Sequence, residues 1–429
     1  MNTAQLLILF VFLAGYLAII FEHRIRVNKA ASALIAGVLA WTIYILFSYD
    51  KITVGRHLMD QFGGIAGILF FLLSAMTIVE LIDVHDGFEF ITERISRKSK
   101  RALLWITGFI TFFLSSVLDN LTTTIVMISL IRKLIPDPRE RWIFAGIIII
   151  SANAGGAWSP MGDVTTTMLW IGDQISAFGI IFRLFLPSLI CTLIPLIAAT
   201  FMIPKSTLTG IPEDRKKNDR ITGPERNFVF FFGLASLLSV PLFKTLTDLP
   251  PYMGMLLALG FMWLLTEFIH RRKEGEEKDV LSVARALRNT DAPTIQFFLG
   301  ILLCISAMES TGILKNSADF LSRHIHDQGV TVLLIGLLSA VVDNVPLVAA
   351  VQGMYPLSVF PTDHFFWEFI AYATGTGGSI LIIGSAAGIA AMGMEKISFF
   401  FYLKRISLLA LAGYFAGALV YYIQFRIIF

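Results

Sequence analysis

Apolar stretches of about 18 to 26 residues recur along the whole chain, and each is long enough to cross a hydrocarbon layer about 30 Å thick as a helix. A single membrane anchor would not produce this pattern. The composition agrees: 56% of the 429 residues are hydrophobic and only 15% are charged, with a mean hydropathy of +0.74, which does not suit a water-exposed surface. The first stretch, Leu6 to Ile20, lacks a basic segment before it and a small-residue cleavage site after it. It is therefore expected to be a retained helix rather than a signal peptide.

Ten crossings are expected, near residues 4 to 22, 31 to 49, 62 to 82, 143 to 175, 178 to 203, 226 to 243, 252 to 270, 294 to 312, 367 to 394 and 400 to 425. Two further apolar regions, 102 to 134 and 329 to 354, each carry an acid and an amide at their centre, Asp119-Asn120 and Asp343-Asn344. These read as re-entrant hairpins with the Asp-Asn pair at the tip, where irregular backbone is tolerated if it lines a cavity enclosed by protein.

The chain is expected to be a duplication, for which internal repeats are the signal. Leu118-Asp119-Asn120 matches Val342-Asp343-Asn344. Gly155-Gly156 and Gly162 match Gly377-Gly378 and Gly384 at an offset of 222, and Ile175-Ser176 and Arg183 match Ile397-Ser398 and Arg405 at the same offset. Glu80 and Glu309 precede their hairpins alike. The first repeat is placed at 1–204 and the second at 226–429, joined by a charged linker, 205–225, broken by Pro and Gly. Five crossings per repeat is an odd number, so the repeats must be inverted, an arrangement that puts binding sites near the bilayer midplane.

Charge supports that topology. With both termini outside, the loops assigned to the cytoplasm hold 27 of the 34 Lys and Arg, the opposite side holds six, and Arg183 lies inside a helix. So lopsided a count follows the positive-inside rule and points to the inner, cytoplasmic membrane. The net charge of +3 is small and dispersed in short loops, so nucleic acid is excluded as a partner. Cys191 and Cys304 lie in apolar stretches and read as small hydrophobes. The charged run from His270 to Asp291 reads as a solvated amphipathic segment.

A carboxylate in mid-membrane costs roughly 2.5 to 3.5 kcal/mol on insertion scales, so one found there is a functional candidate. Three are expected: Asp119, Asp343 and Asp163, the last within a polar island from Ser151 to Thr167 whose glycines and Pro160 should break the helix. Broken helices free backbone carbonyls which, with side-chain oxygens, replace the hydration shell of a small cation. The candidate oxygens are those of Asn120, Thr123, Ser151, Asn153, Thr165 and Thr166 in the first half and Asn344, Thr374, Thr376, Ser379 and Ser385 in the second. Ser385 stands where the first half has Asp163, so the half-sites differ in charge. Oxygen ligands suit sodium or lithium, and these islands hold no His or Cys cluster of transition-metal spacing. Glu80 and Glu309 are possible members of a proton path, though both fall near helix ends.

The strings Ser115-Ser-Val-Leu-Asp-Asn-Leu-Thr-Thr-Thr124, Ser151 to Thr167 and Val341-Val-Asp-Asn-Val-Pro346 resemble those of the NhaD-type sodium/proton antiporters of the ion transporter superfamily, and the likeness runs through nearly the whole chain. The resemblance implies an all-α polytopic protein, a homodimer embedded in membrane lipid, and a scaffold against which a transport domain moves. It implies exchange of cytoplasmic sodium or lithium for external protons through shared buried carboxylates, with no cofactor and no enzymatic reaction. Relatives that carry dicarboxylates have hairpin tips resembling Ser-Asn-Thr, whereas both tips here read Asp-Asn. A fixed carboxylate repels an incoming carboxylate, which argues against the alternative of a sodium-coupled carboxylate or other anion transporter. An intramembrane aspartyl protease is a remote alternative, suggested by Gly162-Asp163 and a second buried Asp.

The topology makes a testable prediction. A cysteine placed in the linker between Lys205 and Arg226 should resist an impermeant thiol reagent in intact cells and react in everted vesicles. Labelling from outside the cell would reject the orientation.

Overall fold

The computed structural model describes residues 2–20, 22–88, 99–204, 221–271, 279–325 and 327–428. The expected linker lies outside these residues except for its last few positions. Twenty helices make up the described chain: α1 (Thr3–Ile20), α2 (Glu22–Ile25), α3 (Lys29–Phe47), α4 (Lys51–Val84), α5 (Lys100–Leu118), α6 (Asn120–Leu134), α7 (Pro138–Ala157), α8 (Val164–Ile171), α9 (Ala177–Met202), α10 (Gly223–Thr247), α11 (Pro251–His270), α12 (Val283–Asn289), α13 (Ala292–Ser310), α14 (Ile313–His324), α15 (Gln328–Leu338), α16 (Asn344–Met354), α17 (Phe365–Gly377), α18 (Ala386–Glu395), α19 (Phe399–Arg405) and α20 (Ser407–Ile428).

Short polar residues set many of the starts. The side chains of Asn28, Ser99, Asp137, Ser176, Thr222 and Asp291 accept backbone N–H groups in the first turn of α3, α5, α7, α9, α10 and α13. Each satisfies a first-turn donor that has no intrahelical partner. Asp137 is followed by Pro138, whose missing N–H costs nothing at that position.

Among the described residues, eight helices are long and apolar enough to cross a membrane: α3, α4, α5, α9, α10, α11, α13 and α20; α18 and α19 would add a ninth span, bent by 118°. This all-helical, multi-pass architecture is the expected fold class, and the two segments expected to be broken are interrupted. The segments 143–175 and 367–394 are broken, as α7 with α8 and α17 with α18, because their glycine-rich islands interrupt the helical backbone. α5, expected as one arm of a hairpin, is itself long enough to span. The Asp-Asn pairs do fall at breaks: Asp119 separates α5 from α6, and Ser339–Asp343 separates α15 from α16.

The helices sort into two packing groups. In one, α3 lies between α1 and α13, and α4 packs on α11 and α13, with α10 on α11. A close crossing of α3 and α13 depends on two glycines, since a Cβ on Gly37 would strike the Gly300 backbone and one on Gly300 would strike the Ala33–Leu34 backbone. In the other group, α7 packs on α5, α6, α9 and α17, α15 packs on α17, and α20 packs on α9. α18 packs on α6 and α7, which brings the last third of the chain onto the first.

Two charged clamps make the same long-range connection. Arg132 Nε and Arg141 Nε hold the two oxygens of Glu395 at 2.5 and 2.8 Å, and Arg132 also donates to the Met394 carbonyl. Arg183 donates to Glu368 at 2.7 Å and to the Asp363 carbonyl at 2.6 Å, with Tyr421 completing the Glu368 carboxylate at 3.0 Å. Glu368 and Glu395 are buried. Removing one partner of such a pair leaves an uncompensated charge. Glu395→Gln should therefore cost about 3 kcal/mol and lower the detergent-solubilised melting temperature; an unchanged temperature would show that α18 is held by packing alone.

Candidate functional site

The polar island at the end of α7 faces the equivalent break between α17 and α18, and a buried hydrogen-bond network joins them. Asn153, one turn before the end of α7, donates from Nδ2 to Ser379 Oγ and Ser385 Oγ, both at 2.9 Å. Its Oδ1 accepts from Asn120 Nδ2 at 3.0 Å, and Asn120 also donates to Asp163 Oδ2 at 2.9 Å. From the other tip, Asn344 Nδ2 donates to the same Asp163 oxygen at 3.1 Å. Asp163 itself caps α8, accepting the Thr165 N–H at 3.1 Å. All six side chains are buried, Asp163 at 2% exposure. Among the described residues no Lys or Arg pairs with Asp163, so neutral amides and one backbone N–H are what hold this carboxylate.

The local contacts recur in both halves. Ser115 Oγ donates to the Ala152 carbonyl at 2.6 Å, and Ser339 Oγ to the Thr374 carbonyl at 2.8 Å. Each serine thereby fixes the break before an Asp-Asn pair against the helix that leads into the other break. Gly155 fits only because it has no Cβ to strike the Phe112 carbonyl, and Gly377 stands in the same relation to the Gly336 carbonyl.

The three acids are not equivalent. Asp119 has φ 92° and ψ 158°, a region that costs a residue other than glycine about 1 to 3 kcal/mol. Its carboxylate is occupied locally, by the N–H and hydroxyl of Thr122 at 2.8 Å each. It lines a cavity of about 70 Å³ with Phe71, Leu72, Asn120, Leu237 and Met255. Asp343 has an ordinary backbone and does not cap its own helix; Tyr16 of α1 lies close to it. Both acids are half-buried, and both lie near enough to Asp163 for their charges to act on it. The structure thus puts Asp163 at the centre and Asp119 and Asp343 at its flanks.

The remaining predicted oxygens divide into three sets. Ser379 and Ser385 belong to the network. Thr166 bonds back to the Asp163 carbonyl at 2.9 Å, while Thr374 and Thr376 bond back to Ile370 and Tyr372 of their own helix. Among the described residues, the hydroxyls of Thr123 and Ser151 are fully buried and have no hydrogen-bond partner, which is costly unless something else supplies one; Thr165 is also buried, in the first turn of α8. Such oxygens suit a cation. Glu80 and Glu309 do not join the centre. Glu80 accepts from Asn289 at 2.9 Å, and Glu309 lies at the end of α13 against Gly353. Sequence reasoning missed Thr122, Ser339 and Tyr402, whose hydroxyl donates to the Ser379 carbonyl at 2.8 Å. A signal for the serines was present: Ser115 and Ser339 each stand four residues before an Asp-Asn pair.

Paired breaks, buried amides and an unneutralised carboxylate inside a bundle of apolar helices define a polytopic membrane carrier. The chain belongs to the citrate transporter family CitMHS, whose profile matches residues 16–368. It is 47% identical over 410 residues to sodium/proton antiporter 2 of Arabidopsis thaliana, covering 95% of this chain and 96% of that protein. It is 46% identical to sodium/proton antiporter 1 of the same plant, covering 95% and 70%, and 31% identical to the Na(+)/H(+) antiporter NhaD of Alkalimonas amylolytica, covering 96% and 89%. The fold resembles that of the Alcanivorax borkumensis YdaH transporter, with a TM-score of 0.57 at 13% identity over 99% and 98% of the two chains.

The central position of Asp163 orders the acids experimentally. Asp163→Asn places amide hydrogens where Asn120 and Asn344 already donate, so apparent sodium affinity should fall at least about tenfold, or about 1.4 kcal/mol. The pH dependence should change as well, because removing one of several interacting acids alters the titration of the rest. Asp119→Asn and Asp343→Asn should keep the centre folded and reduce exchange. Unchanged affinity and pH profile in Asp163→Asn would make Asp163 a cap only.

Proposed function

We propose that this protein is a secondary active transporter that exchanges sodium, or lithium, for protons. The observation that carries this reading is the buried Asp163 carboxylate, held by the amides of Asn120 and Asn344 and the Thr165 N–H, with no cationic side chain to neutralise it among the described residues. A site of that charge attracts a small cation and repels a carboxylate. It favours the activity named in the 46% and 47% identical relatives over the anion named in the family's description.

Antiport follows from the charge. A proton and a sodium ion are alternative ways of neutralising the same carboxylate, so the loaded form carries one or the other. A protonated Asp163 also loses acceptor capacity and cannot receive all its donors as before, which links its protonation to the position of the two tips. Asp163 is the central ion-coupling acid, with Asp119 and Asp343 flanking it. The oxygens of Thr123, Ser151 and Thr165 belong to the first half-site, and those of Ser379 and Ser385 to the second. Sodium is the cargo here, and no resident cofactor enters the scheme.

The repeated Ser115 and Ser339 contacts and the paired Gly155 and Gly377 approaches support a duplicated chain with inverted repeats at 1–204 and 226–429. The two packing groups of helices support a scaffold and a transport domain that move relative to each other, in a homodimer. The distribution of Lys and Arg supports the cytoplasmic membrane with both termini outside.

A vesicle assay tests the exchange. In everted vesicles with an imposed pH gradient, sodium or lithium should dissipate the gradient, and potassium, citrate or succinate should not. Citrate or succinate uptake without sodium-driven dissipation would establish the anion carrier instead.

A further inference from the structure

The run beginning at His270, expected to be solvated, starts inside the protein. His270 closes α11 and is 2% exposed; His85 caps the end of α4 and is fully buried. Glu225 stands in the first turn of α10. The ligand-capable atoms of the three lie within 4.8 Å of one another. They form a line: His85 Nδ1 is 2.6 Å from the Leu81 carbonyl oxygen, His85 Nε2 is 2.8 Å from His270 Nε2, and His270 Nδ1 is 3.4 Å from Glu225 Oε1.

Counting hydrogens along this line shows where a proton would add charge. A carbonyl oxygen only accepts, so His85 Nδ1 carries a hydrogen. Two ring nitrogens 2.8 Å apart need one hydrogen between them. His270 Nδ1 lies 3.4 Å from Glu225 Oε1, an ion-pair contact that forms only when that nitrogen carries a third hydrogen. With that proton bound, three hydrogens on two imidazoles make one imidazolium, whichever ring holds the charge. Both histidines stand at helix C-termini and Glu225 at an N-terminus, where the helix dipoles favour those signs.

A metal fits this geometry poorly. The ring centroids are 5.1 Å apart, a separation that the two ring radii and the 2.8 Å gap account for only if the Nε2 atoms point straight at each other. An ion about 2.0 Å from each nitrogen would have to spread them along that line, with Glu225 against the far side of the His270 ring.

The same three helices reach the cavity beside Asp119. Phe71 of α4, Leu237 of α10 and Met255 of α11 line it, and each lies roughly 20 Å along its helix from the histidine or glutamate it shares that helix with. We propose that Glu225, His270 and His85 form a proton-binding site outside the ion pathway, which ties α4, α10 and α11 together when occupied and so sets the rigidity of the wall facing Asp119. Among the described residues, the other charged groups at these helix ends are Asp83 in the last turn of α4 and Asp86 after it, Arg226 beside Glu225, Glu267 and Arg271 around His270, and Asp279, which pairs with Arg288 at 3.0 Å. Histidine ordinarily changes charge near pH 6.5. The tie is therefore present on the acid side and lost as pH rises.

Melting of the full-length protein in detergent tests this without reference to transport. The melting temperatures of wild type, His270→Gln and Glu225→Gln are compared from pH 5.5 to 9. The gap between wild type and each variant should be largest at pH 5.5 and close towards pH 9. In a Met255→Cys background, maleimide labelling should speed up as pH rises and lose that dependence when Glu225→Gln is added. A gap that is the same at every pH, a labelling rate indifferent to Glu225→Gln, or a melting temperature that zinc raises and EDTA lowers would overturn the proposal, the last in favour of a metal site.

Discussion

One carboxylate fixes how the two halves of this protein meet. Asp163 begins α8, yet its oxygens receive amides from Asn120 and Asn344, which belong to breaks 224 positions apart in sequence. Burying an unpaired ion costs several kcal/mol, and here neutral donors meet part of that cost while leaving the charge in place. Tight holding by neutral groups and retained charge are the two properties that a cation site requires together. A Lys or Arg partner would have supplied more stability and removed the attraction.

Everything around Asp163 serves to make broken helices tolerable. A break inside an apolar layer exposes carbonyls and N–H groups that water cannot reach. Ser115 and Ser339 donate to carbonyls of the helices that lead into the breaks, Tyr402 donates to the Ser379 carbonyl within one, and Asp163 and Ser385 cap the helices that resume after them. The absence of side chains at Gly155 and Gly377 lets the helices approach closely enough for those bonds to form. The strain at Asp119 belongs to the same economy, because its φ of 92° is held by the two bonds from Thr122 and by the packing around the tip.

Away from the centre, full charge pairs do what neutral amides do inside. Arg132 and Arg141 grip Glu395 at the end of α18, and Arg183 with Tyr421 grips Glu368 in the first turn of α17. Each joins a residue of the first half to one of the second, so the two halves are interleaved and not placed side by side. The His85, His270 and Glu225 line lies in the other group of helices, where it joins three helix ends.

The sequence by itself determined that the chain is a many-helix membrane protein, because the length and apolarity of each stretch are local properties that the bilayer reads directly. It also located the breaks, since glycines, Pro160 and the Asp-Asn pairs act on their own backbone. The acids, amides and hydroxyls of the centre were legible one by one for the same reason. Which acid is central was decided only by tertiary structure: Asp119 and Asp343 stand in matched positions in the sequence, but one carboxylate turns back to Thr122 while both neighbouring amides turn to Asp163. The role of α5 also changed, because a helix expected as one arm of a hairpin is itself long enough to span. The joining of His85, Glu225 and His270, 140 and 45 residues apart, left no trace in composition or periodicity. Hydrogen bonds between distant segments depend on angle and distance, which only the packing of the helices sets.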